Sequence, residues 1–232
     1  HSQRLPLLRR LFEDPTNVGT IRRLASQFSF AGDEEFCTSN IRTNSQLEPY
    51  GCLGDLGWYC SRMFMWILKG QLPTEVRARL LTPLQGKGSP GPVPGEFSAE
   101  LIFPDGVSAS FYNSFLTENQ QWLHVSGSKG FVRVDDFVLP HPGGRLGFVV
   151  SNPRFVQDGC KFTMEKHQRE HVVDEEHSND VNAQETKLFK TFGRLALGGS
   201  PDPFWPEISL KTQRVLDACL HSARHDGATV EL

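Results

Sequence analysis

Cysteine is scarce in this chain, and its residues show none of the spacings that are typical of a structural site. No C-x-x-C pair occurs among the 232 residues. A structural zinc site and a disulfide framework are therefore both disfavoured, and we expect a protein of the reducing cytoplasm. The five cysteines are Cys37, Cys52, Cys60, Cys160 and Cys219.

An excess of charge of one sign and long apolar runs are also missing. The formal net charge is −3 at pH 7, which gives no basic surface for nucleic acid or an anionic membrane. The longest apolar run covers residues 63–68, far short of the roughly 20 residues that a membrane helix needs. We therefore expect neither nucleic acid nor membrane as a partner. The length suits one domain, residues 1–232, with a sizeable core.

A dinucleotide-binding turn is the third missing feature. Such a fold needs a strand, a glycine-rich turn and a helix whose N-terminus receives the pyrophosphate. Gly86-Lys-Gly88 is followed by three prolines within seven residues, which forbid an immediate helix. Gly143, Gly144 and Gly147 lead into residues 148–150, which have the pattern of a strand. We predict that both segments are loops.

What the chain does contain is an acid and a phenol within an apolar segment. Residues 54–69 are predicted to form a buried helix, in which Asp55 and Tyr59 stand four positions apart and Arg62 follows three later. This spacing places the three side chains on one face. Two interpretations remain open: a ligand site, or an acid favoured by the helix dipole beside a tyrosine whose hydroxyl is satisfied.

The remaining pattern indicates an α+β fold. Strand signals joined by turn residues predict an antiparallel, meandering sheet with helices on one face. His167 and His171 fall in a polar stretch that we interpret as solvated, so we predict no metal site. The predicted helices cover residues 5–12, 183–197 and 207–223, besides 54–69. The predicted strands lie within 20–30 and at 96–103, 107–115, 122–125, 131–134, 146–151, 161–165 and 171–173, and a long connection covers 31–53.

The segment around Asp55 also resembles a family signature. The string Gly51-Cys-Leu-Gly-Asp-Leu-Gly-Trp-Tyr59, with Ile41-Arg and Leu47-Glu-Pro before it, is similar to that of the glucose-fructose oxidoreductase / inositol dehydrogenase / MocA (Gfo/Idh/MocA) family. That signature has a glycine-rich lead-in, an Asp, and a His or Tyr four residues later. Tyr59 resembles the tyrosine-bearing branch. The likeness continues in residues 127–136 and 205–217, and so covers most of the chain.

The resemblance implies an activity and roles for particular residues. It implies an oxidoreductase that transfers hydride between NAD or NADP and a sugar, polyol or cyclic alcohol or ketone. Tyr59 would be the catalytic acid/base and Asp55 its catalytic partner. Arg42, Trp58 and Arg62 would bind substrate. The residues that bind the cofactor would lie mostly in another domain.

The resemblance also implies an architecture and an assembly. Family members begin with a nucleotide-binding domain and carry a Glu-Lys-Pro tripeptide, and neither occurs in this sequence. We therefore expect a C-terminal fragment, inactive alone, with a large open-faced sheet that forms homodimers or tetramers. The alternatives are a natural single-domain relative and a non-catalytic binding or assembly module. A glycosidase with paired carboxylates is disfavoured, because the residue that accompanies Asp55 is a phenol.

Overall fold

The computed structural model describes residues 1–140, 145–175 and 181–232. Gly143 and Gly144, predicted to lie in a loop, are outside these residues. The helices are α1 Arg4–Glu13, α2 Glu34–Ser39, α3 Trp58–Ile67, α4 Gln184–Leu197 and α5 Phe204–Arg224. The strands are β1 Ile21–Ala31, β2 Glu75–Leu84, β3 Val93–Ile102, β4 Ser108–Ser114, β5 Leu116–Gly127, β6 Phe131–Val134, β7 Arg145–Ser151, β8 Arg154–Asp158, β9 Lys161–Glu165, β10 Gln168–Asp174 and β11 Val230–Glu231.

Nine of these strands form one sheet in the order β10-β7-β6-β5-β1-β4-β3-β2-β11, and β8 pairs with β9 apart from it. The predicted α+β class with a large sheet is confirmed. The predicted meander is present in β5-β6-β7 and in β2-β3-β4, but it is interrupted by β1, which lies between β5 and β4. Turn signals report only which strands are consecutive in sequence, and they do not reveal a strand that enters from elsewhere in the chain.

Several element boundaries differ from the prediction. Strand β2 was not predicted, although Val76 and Ala78 are buried and alternate with exposed neighbours. Strand β5 is far longer than the predicted strand 122–125. The prediction missed its first half because those residues are mostly polar and show no apolar alternation. Strand β8 was also missed. The connection over residues 31–53 contains α2 and a 3₁₀ turn, Ile41–Thr43.

The spatial contacts between residues divide the chain into two compact units. The first unit contains residues 1–23 and 123–203. Its most distinctive feature is a buried arginine. Arg4 is 5% exposed and donates to the side chain of Asp136, to the carbonyl of Asp136 at 2.8 Å and to the carbonyl of Gly147 at 3.1 Å. A buried guanidinium is tolerated because it is paired and its donors are satisfied.

The two histidines that had been considered as metal ligands also lie in this unit. His167 pairs with Glu165 at 3.0 Å, and His171 stacks on Phe148 with ring centroids 4.8 Å apart. Within the three described stretches, no three His, Cys, Asp or Glu side chains are grouped so that they could hold a metal. The same residues include no helix that is long and apolar enough to span a membrane.

The second unit contains residues 24–122 and 204–232 and carries every candidate site residue. Its sheet buries Phe97, Leu101 and Phe111. Helix α5 packs on β2, where the amide of Ala78 donates to the Ser222 hydroxyl at 2.9 Å. Burial alternates along β4 and along β3 from Gly95 onward, as in a sheet with one covered face.

Candidate active site

The turn that carries Asp55 is not an ordinary α-helix. Residues Leu53–Gly57 form a π turn, and the α-helix proper begins at Trp58. The prediction of one continuous helix over 54–69 is therefore corrected. Single π turns inside helices widen the coil locally and are frequent at functional sites.

Close packing against the sheet explains where this turn lies. A Cβ atom at Gly57 would stand 2.9 Å from Oδ1 of Asn113 and 2.9 Å from Cδ1 of Leu53. Only a residue without a side chain lets the helix approach β4 this closely. Leu53 and Leu56 are buried, so the turn is pinned to the core while Asp55 stays partly accessible.

A buried polar group stands beneath the turn. Asn113, fully buried, donates from Nδ2 to the carbonyl of Phe28 at 3.3 Å and to the sulfur of Cys60 at 3.5 Å. Burial raises the pKa of Cys60 to about 11, so this thiol is not a nucleophile near neutral pH. Asn113 thus ties β1 and α3 together directly behind Tyr59.

Tyr59 itself faces outward. Its ring packs edge-on against Phe28, with centroids 5.6 Å apart, a favoured aromatic geometry. The residue is 45% exposed. Its ring is therefore held in place, and its phenol is accessible to a ligand.

Asp55 is paired with an arginine from the preceding loop. Nε of Arg42 lies 2.9 Å from Oδ2 of Asp55. The side chains are 39% and 24% exposed, respectively. The arginine that the resemblance assigned to substrate binding therefore forms an ion pair with the carboxylate that it assigned to catalysis.

The loop that carries Arg42 is itself held firmly. Asn40 accepts from the amide of Arg42 at 3.0 Å through its side chain, and buried Thr43 accepts from the amide of Gly86 at 2.8 Å. Further along the loop, the hydroxyl of Tyr50 donates to Asp217 of α5 at 2.7 Å. Both ends of the loop are therefore anchored within the unit.

Glu48 is a charged neighbour that sequence reasoning missed. The carboxylate accepts from the amide of Tyr50 at 3.1 Å. Burial raises the pKa of Glu48, the Asp55 carboxylate raises it further, and the Tyr50 amide and Arg42 oppose both effects. The Leu47-Glu-Pro motif was quoted only for its family resemblance and could have identified this residue.

The remaining predicted site residues are arranged differently. Nη1 of Arg62 donates to the hydroxyl of Ser209 on α5 at 3.2 Å, and burial lowers the pKa of Arg62. Among the described contacts, none joins Arg62 to Asp55 or Tyr59. Trp58 is half-buried at the first position of α3. The structure thus brings Arg42 to Asp55, but not Arg62.

The glycine-containing segment 86–88 does not form a pyrophosphate cradle. Gly86 and Gly88 lie between two antiparallel strands, β2 and β3, so no helix N-terminus follows them. The loop predicted there is confirmed. The polar groups that are present, a phenol, two carboxylates and a guanidinium, are instead suited to a ligand that carries hydroxyl groups.

Comparisons with known proteins agree with this fold. The family model described as the GFO/IDH/MocA C-terminal domain matches residues 8–133, a range that contains every candidate site residue. Three solved structures with the same fold are 19–22% identical to this chain, and the chain spans about three-fifths of the length of each.

Three structures with this fold illustrate the likeness. An aldose-aldose oxidoreductase from Caulobacter crescentus, solved with glycerol, has a TM-score of 0.73 and 22% identity, covering 100% of this chain and 61% of its own. A 3-ketoreductase from Actinomadura kijaniata, solved with NADP and TDP-benzene, has a TM-score of 0.71 and 20% identity. The match covers 95% of this chain and 59% of the ketoreductase. A levoglucosan dehydrogenase, solved with NADH and levoglucosan, has a TM-score of 0.70 and 18% identity. The match covers 99% of this chain and 64% of the dehydrogenase.

Proposed function

This chain belongs to the Gfo/Idh/MocA family, and on that premise we propose that it forms the substrate-binding part of an NAD(P)-dependent oxidoreductase. The substrate class is a sugar, a polyol or a cyclic alcohol or ketone. Two observations support the proposal: the exposed side chain of Tyr59 at the start of α3, and the Arg42–Asp55 ion pair between the π turn just before it and the preceding loop. The similar structures solved with glycerol and levoglucosan support the substrate class.

Oxidation of an alcohol carbon separates a hydride from a proton, and a bound nicotinamide supplies the hydride chemistry. Tyr59 takes the proton at its phenolic oxygen in one direction and returns it in the other. The ordinary pKa of a tyrosine, about 10, is high for this task unless a cation lies nearby. Arg42 is engaged by Asp55, so the resemblance assigns that cation to the lysine of the family's Glu-Lys-Pro motif.

Asp55 and Arg42 orient the substrate. The carboxylate accepts hydrogen bonds from substrate hydroxyls, and the guanidinium donates to a substrate oxygen. Fixed groups of this kind increase rate by holding the reacting carbon in a productive position.

The test is a titration with NADH and NADPH followed by nicotinamide fluorescence, together with a turnover screen over polyols and sugars. It uses this chain and the longest protein that its gene encodes. We expect the longer protein to bind the nucleotide and turn over a hydroxylated substrate. If neither protein binds either nucleotide, the proposal fails and a non-catalytic binding or assembly module takes its place.

Self-association belongs to the same proposal. We expect homodimers or tetramers formed through the open face of the sheet. In the second unit this face carries Glu96, which accepts from Tyr112 and Thr82 on neighbouring strands, so a pairing there would be polar. A monomeric mass by light scattering at working concentration would contradict it.

A further inference from the structure

Three charged side chains meet at the turn that precedes α3. Arg42 and Asp55 form the ion pair at 2.9 Å, and Glu48 is close enough that both affect the pKa of its carboxyl. Two carboxylates against one guanidinium leave this cluster with one net negative charge when all three are ionised. We call Arg42, Glu48 and Asp55 the charge cluster.

The position of Glu48 in the cluster is fixed from two sides. Its Oε1 accepts from the amide of Tyr50 at 3.1 Å. A Cβ atom at Gly54 would lie 2.5 Å from that same oxygen, so the carboxylate occupies the space that a side chain at the neighbour of Asp55 would take. Glu48 therefore lies directly against the π turn.

Other charged side chains lie around the cluster. Arg62 on α3 is directed to Ser209 of α5. Asp217 of α5 accepts from Tyr50 and adds a carboxylate on that side. The guanidinium of Arg224 also acts on the pKa of Tyr50, so charges of both signs stand on that side, and the like charge that an acidic substrate meets is that of the cluster itself.

We propose that Glu48 determines substrate specificity, accepting hydrogen bonds from substrate hydroxyl or amino groups together with Asp55 and disfavouring acidic substrates. This inference rests on the proposed function and narrows its substrate class. The site takes neutral or amine-bearing polyhydroxy compounds in preference to uronic acids and sugar phosphates, because a substrate carboxylate or phosphate meets a like charge.

The alternative role for Glu48 is a purely structural one, as the acceptor that caps the Tyr50 amide. The variant Glu48→Gln separates the two roles. A glutamine retains a side-chain oxygen for that amide and removes only the charge. If Glu48 acts through its charge, discrimination changes while the fold does not.

The experiment compares D-glucose, D-glucosamine and D-glucuronate, which share a ring configuration and differ in charge. Binding is measured by NMR on this chain and on the longest protein that the gene encodes, and kcat and KM are measured on the latter with NAD and NADP. The variants are Glu48→Gln and, as a matched control, Glu35→Gln, which removes an exposed charge in the first turn of α2.

We expect the unaltered protein to favour the neutral and amino sugars over the uronate. We expect Glu48→Gln to reduce that preference about tenfold, mainly through KM, as the loss of one nearby unit charge implies. Glu35→Gln should leave the preference unchanged. A preference for the uronate, equal preferences in the unaltered protein and Glu48→Gln, or binding of none of the three sugars would overturn the inference.

These outcomes are distinguishable from failure of the proposed function. If hydride transfer occurs but discrimination is independent of Glu48, the oxidoreductase proposal stands and the specificity inference falls. If no nicotinamide chemistry occurs at all, the proposed function falls. The specificity inference then depends on the binding measurement, which must show the same order of preference.

Discussion

Replacing Asn113 with aspartate tests the claim that the sheet holds the π turn of the candidate site in place. The substitution exchanges an amide nitrogen for an oxygen at a fully buried site and hardly changes the side-chain volume. It removes the donor that binds the Phe28 carbonyl at 3.3 Å and the Cys60 sulfur at 3.5 Å. An ionised carboxylate would then face the carbonyl oxygen of Phe28, so the new side chain must hold a proton in the folded state.

The magnitude follows from that proton. Burial of this degree commonly raises the pKa of an aspartate by roughly two to three units above its usual value of about 3.9. Each unit corresponds to about 1.4 kcal/mol, so folding loses about 3–4 kcal/mol at pH 7. Because the folded-state pKa is raised, the penalty is absent below about pH 4 and grows as pH rises through the unfolded-state pKa.

The assay is urea unfolding at about pH 4.5 and about pH 7.5, followed by tryptophan fluorescence, since Trp58 and Trp66 lie on α3. The free energy of unfolding of Asn113→Asp, relative to the unaltered protein, should fall by about 2–3 kcal/mol between these pH values. Asn119→Asp, at an exposed position on β5, should show little change. A pH-independent loss below about 1 kcal/mol at Asn113 would refute the reasoning.

Three further predictions concern the turn and its charges. A double-mutant cycle with Arg42→Ala and Asp55→Asn, measured by urea unfolding, should give a coupling free energy of about 0.5–1 kcal/mol, because the ion pair is partly exposed. The coupling should weaken in ~1 M salt, which screens the two charges. A coupling that does not depend on salt would contradict this prediction. The free energy of unfolding of Glu48→Gln, relative to the unaltered protein, should increase as pH rises above about 4.5, because burial raises the pKa of Glu48 in the folded state. Urea denaturation curves at several pH values measure this difference. A relative gain in stability only at acid pH would contradict the prediction. Gly57→Ala should lower the free energy of unfolding by about 1–2 kcal/mol in thermal or urea unfolding, although alanine favours helix. The cause is its Cβ atom, which would lie 2.9 Å from side-chain atoms of Asn113 and Leu53. A stabilised variant would show that the packing there can accommodate a methyl group.

The sequence predicted those parts of the fold that local chemistry determines. Helix α1 and the hairpin of β3 and β4 were found within a few residues, because apolar periodicity and the Pro104-Asp-Gly106 turn are local signals. The place of β1 between β5 and β4 was not predictable from them. It depends on pairing between residues far apart in the chain, which turn chemistry does not encode.

The candidate site was predictable in its residue types but not in its geometry. The four-residue spacing of Asp55 and Tyr59 was interpreted as one turn of an α-helix, whereas Asp55 lies in a π turn whose last residue, Gly57, packs closely against Asn113. Glu48 was missed because its place beside Gly54 depends on how the loop folds back. The sequence spacing placed Arg62 on the same face as Asp55 and Tyr59. In the structure its guanidinium donates to Ser209, which is far away in the sequence but lies on the neighbouring helix α5.

The central claim is that the Tyr59 phenol carries the substrate proton, and the most direct measurement is the kcat of Tyr59→Phe in the nicotinamide-dependent reaction of the longest protein that the gene encodes. The matched control is Tyr112→Phe, which removes a phenol that bonds Glu96. We predict that Tyr59→Phe lowers kcat by about 10²–10⁴-fold with an unchanged unfolding transition, while Tyr112→Phe keeps near-normal turnover. Near-normal turnover by Tyr59→Phe would contradict the account.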